Sequence, residues 1–277
     1  MLCFRLFSES SPAEPLADAV AQLREGQAPK DLYAVEPASF HQIPNAPFAY
    51  WVSERIRRLF VELPAFEGEG RTVKVGLQTG DDFRFVRTSW EIHAQPKSMA
   101  PRWFPFAKGG SFSPYYADVY LKLNWSEEGR ELRGFSGSVL RNTEYYFKPG
   151  IVFPRRTSRF CPRVFPSNAI FSNSGQVAFA HSRKLQLLAL LYALPNQALV
   201  FCSLGANPAD AGGTNPQFEV GVIQKAPIAY SSSQDSRLGM LTKNAWSLKR
   251  RPQTFALGNS AFHAPALAPG RKPHPTR

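Results

Sequence analysis

The sequence predicts an α+β fold: a mainly β middle region flanked by amphipathic helices, with a disordered C-terminal tail. Three observations carry this reading. Apolar residues recur at helical spacing near both ends of the chain, they switch to a period of two from Arg71 onward, and proline crowds the stretch from Pro265 to Arg277.

The elements follow in order. Leu16 to Arg24 is rich in Ala and Leu and reads as a helix, punctuated afterwards by Gly26, Pro29 and Pro37. A stronger helix is expected after the start signals Asn45 and Pro47. Val52, Ile56, Leu59 and Phe60 fall on one face, charged residues on the others, and the helix stops before Pro64. Glu67 to Gly70 is a turn into strand-rich sequence. Val73, Val75 and Leu77 alternate with other residues, as do Val119, Leu121, Leu123 and Trp125, which describes half-buried strands. Phe83 to Ile92, Tyr145 to Phe153, Ala169 to Phe171 and Gln176 to Phe179 add aromatic and β-branched runs between Pro, Gly and Asn breakers. Arg183 to Leu194 reads as a buried helix, Phe218 to Ile223 as a short strand, and Ser233 to Arg250 as a second amphipathic helix. The resulting division is a helical lead-in over 1–65, a β-rich domain over 66–230, a helical segment over 231–263 and a disordered tail over 264–277.

The chain has 277 residues, enough for one good core or two small ones. Its 33 Lys and Arg outnumber 21 Asp and Glu, giving a net charge of +12, which favours polyanionic partners and makes nucleic acid the first to test. Cys3, Cys161 and Cys202 are odd in number and widely spaced, which suits a reducing cytoplasm better than a disulfide framework. The apolar start is broken by Arg5 and has no cleavage pattern, and Pro195-Asn196-Gln197 interrupts the longest apolar stretch. Neither a signal peptide nor a membrane span is expected.

Chemical motifs are sparse. His41, His93, His181, His263 and His274 form no His-Glu-x-x-His and pair with no cysteine at zinc-ligand spacing, so no metal site is expected. No phosphate-binding P-loop and no Gly-x-Ser-x-Gly elbow occurs. Lys108-Gly109-Gly110 could place backbone amides against a phosphate, although paired glycines more often mark a plain turn. Basic residues concentrate between Arg130 and Arg163, where Arg130, Arg133, Arg141, Lys148, Arg155, Arg156, Arg159 and Arg163 face only Glu131 and Glu144 in number. Interleaved Tyr145, Tyr146, Phe147, Phe153 and Phe160 suggest a rigid β surface presenting guanidinium groups. For a lone arginine a solvated face is the better reading. For Arg155-Arg156-Thr157-Ser158-Arg159, where hydroxyls accompany the cations, contact with DNA is favoured over it.

Five segments, taken in order, resemble the C-terminal half of the large single-chain adenine-specific DNA methyltransferases of type IIG restriction-modification and BREX-type phage-defence systems. They are Phe48 to Ser53, Gly76 to Arg87, Arg102 to Gly110, Asn142 to Ile151 and Phe218 to Gly221. In that family an N-terminal domain binds S-adenosylmethionine and methylates adenine N6, while a downstream target-recognition domain reads duplex DNA. The resemblance implies that Thr79, Asp81 and Arg84 open the recognition fold, and that Trp103, Lys108 and Gly109 lie in a loop near the DNA backbone. Thr79, Arg84, Trp103, Lys108 and Gly109, with Arg87 and Lys148 from the same segments and Arg155, Arg156 and Arg159 from the basic cluster, make up the candidate DNA-binding set.

The catalytic elements of that family are missing from the sequence. There is no strand, Gly-rich turn and helix for S-adenosylmethionine, and no Asn/Asp-Pro-Pro-aromatic loop to hold a flipped adenine. Asn215-Pro216-Gln217-Phe218 is the nearest imitation, lacks the second proline and reads as a turn. The expectation is therefore a sequence-specific double-stranded DNA recognition module that has no catalytic residues and binds no cofactor, cytoplasmic and associated with the nucleoid. A separately encoded catalytic subunit, docked through the helices near 49–60 and 233–250, is a further expected partner. An active adenine methyltransferase with unrecognised cofactor motifs and a non-functional gene fragment are the competing readings.

Overall fold

The change of apolar period at Arg71 marks where the sheets begin. The computed structural model describes residues 1–6, 11–93, 98, 100–180, 217–228 and 235–252, and its architecture is α+β. The expected helix over Arg183 to Leu194, residues Cys202, His181, His263 and His274, and the expected tail all lie outside the described residues.

The strands are β1 (Leu2–Phe4), β2 (Leu32–Ala34), β3 (Arg71–Lys74), β4 (Val86–Thr88), β5 (Trp103–Ala107), β6 (Leu121–Asn124), β7 (Gly150–Pro154), β8 (Arg163–Phe165), β9 (Ile170–Phe171) and β10 (Gly175–Ala180). The helices are α1 (Ala13–Arg24), α2 (Glu54–Glu62), α3 (Asp82–Phe85), α4 (Arg130–Gly134), α5 (Val220–Lys225) and α6 (Asp235–Arg250). Strands β1 and β2 pair on their own. One four-stranded sheet runs β3-β10-β7-β8, antiparallel throughout, and a second runs β4-β6-β5-β9, with β5 and β9 parallel.

The first sheet is covered on both faces. Ile151 and Phe153 of β7, Val73 of β3 and Ala178 of β10 join Phe66, Phe160, Phe218 and Ile223 on one side. Val152, Val177, Phe179 and Phe165 point the other way, into a cluster with Leu77, Phe106, Leu123 and Phe171 shared with the second sheet. The register explains the division, because Val177 faces Val152 and Ala178 faces both Ile151 and Val73. A strand buried on both faces has no polar side, which is why Gly150 to Pro154 is apolar throughout rather than alternating.

The N-terminal helix is present as α1. Helix α2 packs Ile56, Leu59 and Phe60 onto the cluster that holds Phe66, so its apolar stripe is docked on this chain's own sheet. Its start differs from the expectation. Asn45 and Ala46 adopt positive φ (72° and 45°) in a turn, and the helix begins after Ser53, whose hydroxyl accepts the Ile56 N–H at 3.4 Å.

Three stretches expected as strand are partly or wholly otherwise. Within Phe83 to Ile92, only Val86–Thr88 is strand. The Asp81 carboxylate accepts the Arg84 N–H at 3.1 Å and starts α3, while a capping box between Thr88 and Glu91 closes a 3-10 turn over Ser89–Glu91. Within Tyr145 to Phe153, a 3-10 turn over Thr143–Tyr145 follows Asn142 at φ 51°, and the strand starts at Gly150. Phe218 to Ile223 is a correction in kind, since Val220–Lys225 is helix α5. Six residues are too few to separate periods, and the helical turn buries Ile223 against the first sheet.

Candidate nucleic-acid interface

Both faces of the first sheet are occupied, so exposed chemistry collects on the loops at the strand ends. Four loops meet at one edge: 75–82 after β3, 108–113 after β5, 155–162 after β7, and 172–174 before β10. The Arg155 N–H donates to the Ser174 carbonyl at 2.9 Å, and the Asn173 N–H donates to the Leu77 carbonyl at 2.9 Å. Arg163, at the start of β8, donates from Nη2 to the Ser111 carbonyl at 2.7 Å. The Arg159 guanidinium lies 4.7 Å from the ring centre of Phe112.

Two local features shape the edge. Gly80 has φ 74°, and a Cβ there would stand 2.3 Å from the Gly137 carbonyl oxygen, so only glycine lets these backbones approach. Gly110 has φ 114° and lies against Arg163, whose Nη1 is 3.4 Å from where a Cβ would be.

Thr79, Asp82 and Lys108 form one polar cluster here. Thr79 is buried, and its hydroxyl donates to Asp82 Oδ1 at 2.6 Å. Lys108 Nζ pairs with the other carboxylate oxygen of Asp82. Burial alone would raise the Asp82 carboxyl, but the hydrogen bonds from Lys108 and Thr79 and the Lys108 charge outweigh it and hold the group below the usual carboxylate range. Leu77, Thr79, Asp82, Lys108, Asn173 and Ser174 line a cleft of about 270 Å³. A second cavity of about 390 Å³ opens on the other side of Lys108 and Phe106.

The remaining candidates distribute unevenly. Gly109 sits in the 108–113 loop at φ 50°, next to Ser174. Arg155 Nε donates to Glu219 at 2.6 Å, so its charge is partly neutralised. Arg156 and Arg159 are exposed, and among the described residues neither forms an ion pair. Arg84 pairs with Glu131 at 2.9 Å and packs over Phe85 and Phe135. Arg87 donates to the carbonyls of Phe83 and Val86 and stacks over Trp103 at 5.9 Å. Trp103 opens β5 while Lys108 follows its end, so the Arg87–Trp103 pair and the Lys108 cluster lie at opposite ends of that strand. Lys148 is exposed, 5.2 Å over the Tyr145 ring, and precedes β7, whereas Arg155 follows it.

The basic window from Arg130 to Arg163 is therefore not one β surface. Arg130 and Arg133 are on α4 and turn to Glu127 and the Glu128 carbonyl, while Arg163 is buried. Chain reversal between α4 and β8 scatters charges that are close in sequence. Thr157 is buried as well, so Ser158 is the exposed hydroxyl of that cluster. Arg163 as an interior cation was missed. Its neighbours Cys161, Pro162, Val164 and Phe165, an apolar setting for an arginine, were the signal that could have found it.

Among the described residues, no group of three or more His, Cys, Asp or Glu could hold a metal ion, and no helix is long and apolar enough to cross a membrane.

No family model matches the chain. It is 24% identical over 220 residues to the adenine-specific methyltransferase PglX of Lacticaseibacillus casei (strain Zhang), which covers 73% of this chain and 18% of that protein. It is 29% identical over 150 residues to the adenine-specific methyltransferase BrxX of Escherichia coli O9:H4 (strain HS), covering 52% of this chain and 12% of that protein. The chain is thus similar to adenine-specific methyltransferases, and it spans less than a fifth of the length of these two relatives.

Proposed function

We propose that this chain is the sequence-specific double-stranded DNA recognition module of an adenine-specific (N6) DNA methyltransferase, with S-adenosylmethionine binding and methyl transfer carried by a catalytic domain outside it. The observation that carries the reading is the loop edge where Lys108, Arg155, Arg156 and Arg159 gather from segments separate in sequence. The similarity to adenine-specific methyltransferases supports the enzyme class, and the net charge of +12 supports a polyanionic partner.

The geometry supports a division of labour in this reading. Arg156 and Arg159, exposed and without carboxylate partners among the described residues, are suited to phosphate oxygens, which position a protein on the duplex without reading it. Lys108 and Arg155 bring charge that Asp82 and Glu219 hold in fixed places. Fixed side chains lose less freedom on binding, so these two suit base-edge or register contacts.

Fluorescence anisotropy with a labelled duplex, titrated across salt, tests the DNA half of the reading. Affinity is expected to fall linearly on a log–log plot as salt rises. Absence of binding, or binding that ignores salt, refutes it. Calorimetry with S-adenosylmethionine tests the other half. No saturable heat is expected, and clear saturable binding would return the active-methyltransferase reading.

A further inference from the structure

Arg163 is 7% exposed, and among the described residues no carboxylate pairs with it. Its Nη2 reaches the Ser111 carbonyl at 2.7 Å and Cys161 Sγ at 3.5 Å, and its Nε is buried without any partner. A cation withdrawn from water and given neither a counter-ion nor a full set of acceptors is an incomplete arrangement. It also lines a cavity of about 390 Å³ together with Lys108, Gly110, Ser111, Asp118 and Tyr120.

The backbone on that side is open: Gly110 and Ser111 are exposed. Among the described residues, nothing accepts the N–H groups of Gly110 and Ser111. Gly110 at φ 114° leaves the guanidinium uncovered where any side chain would crowd it. Val152 and Phe106 form an apolar floor, and the volume exceeds what a phosphate alone would fill.

We infer that this cavity is an anion site that takes the phosphate of a nucleotide unit, with Arg163 and the Gly110–Ser111 amides on the phosphate and the apolar floor under the attached sugar. Asp118 shares the lining and opposes the anion, which sets the affinity below what Arg163 alone would give. The phosphate can come from a DNA strand or from a free nucleotide. The first source rests on the proposed DNA binding, whereas the anion site itself does not.

Thermal unfolding of the chain in sodium phosphate, against sodium chloride at equal ionic strength, reads the site directly. The wild type is expected to gain a few degrees in Tm, saturably, in phosphate alone. In Arg163→Met the phosphate response falls to the chloride baseline, and stability in chloride is retained because a buried unpaired charge is gone. Asp118→Asn supplies an arm that misfolding cannot mimic, since its phosphate midpoint drops several-fold. A wild type with no phosphate-specific gain overturns the inference, and so does an Asp118→Asn midpoint that fails to drop or an Arg163→Met response equal to wild type. The sources separate in a second titration. If a strand phosphate occupies the site, phosphate competes with duplex and Arg163→Met makes the salt slope shallower by about 0.9. If a free nucleotide does, 5′-dAMP saturates at a lower midpoint than phosphate and the duplex slope of the variant is unchanged.

Discussion

Replacing Arg156 and Arg159 together by alanine separates charge used for contact from charge used for structure. Arg156 joins the fold through its backbone, in a bridge to Gln217, and the Arg159 guanidinium rests on Phe112. The fold should therefore lose little: exposed positions shift stability by about 0.5 kcal/mol or less, and the ring contact adds roughly 0.5–1 kcal/mol. If each arginine neutralises one phosphate, the slope of log affinity against log salt becomes shallower by about 1.8. Across a fourfold rise in salt, from about 50 to about 200 mM, the variant then loses roughly 12-fold less affinity than wild type does. Lys148→Ala, on the far side of β7, is the matched control and leaves the slope where it was. Anisotropy titrations on a labelled duplex measure both slopes, with circular dichroism melts to check folding. A double variant that melts normally and keeps the wild-type slope refutes the placement of the DNA face at this edge.

Further consequences concern the scaffold that holds the edge. Gly80→Ala forces a Cβ to 2.3 Å from the Gly137 carbonyl at φ 74°, and should cost about 1–3 kcal/mol, seen as a Tm lowered by several degrees. Unchanged melting would show that the 75–82 loop relaxes freely. Phe218→Ala removes a ring packed 5.1 Å from Phe160 and should destabilise by roughly 3–5 kcal/mol in urea unfolding; a loss under about 1 kcal/mol would contradict the packing of the segment leading into α5 on the first sheet. Asp82 gives a pH dependence. Its folded pKa is depressed, so the unfolded chain binds more protons around and below the free value of about 3.9, and stability falls as pH drops through that window and then through the folded value. Lys108→Met removes most of the cause, so its stability deficit against wild type should narrow as pH falls from about 6 to about 3. A deficit that stays constant over that range would mean the pair adds nothing.

Periodicity located the sheets because Val73 and the run from Leu121 to Leu123 carry it locally, and it located α1, α2 and α6 because twelve, nine and sixteen residues hold several helical turns. It failed where an element is one or two turns long. Asp82–Phe85 and Val220–Lys225 are decided by an N-cap carboxylate and by what Ile223 can bury, neither of which has a period. The site divides in the same way. Lys108-Gly109-Gly110 and Arg155-Arg156 stand out as motifs, yet nothing local says that they share an edge. The contacts that join them span 19 residues from Arg155 to Ser174 and 52 from Ser111 to Arg163, and strand register sets both.

That dependence on register bears on how the edge could have acquired specificity. Loops 75–82, 155–162 and 172–174 adjoin β3, β7 and β10 of the first sheet, whose two faces are committed to packing, so their ends cannot shift independently, and loop 108–113 leaves β5 at its buried end. Side chains within the loops can change without disturbing that frame, as the exposure of Arg156, Ser158 and Arg159 shows. Paired cations lack this freedom: exchanging Arg155 leaves Glu219 with only the Gln176 amide, exchanging Lys108 leaves Asp82 with only the Thr79 hydroxyl, and each leaves a carboxylate without its counter-ion where the phosphates would pass. Such a frame fits a recognition module in which the exposed, unpaired Arg156 and Arg159 grip phosphates and can be exchanged at little structural cost, while Lys108 and Arg155, held by their carboxylates, keep the register against the bases.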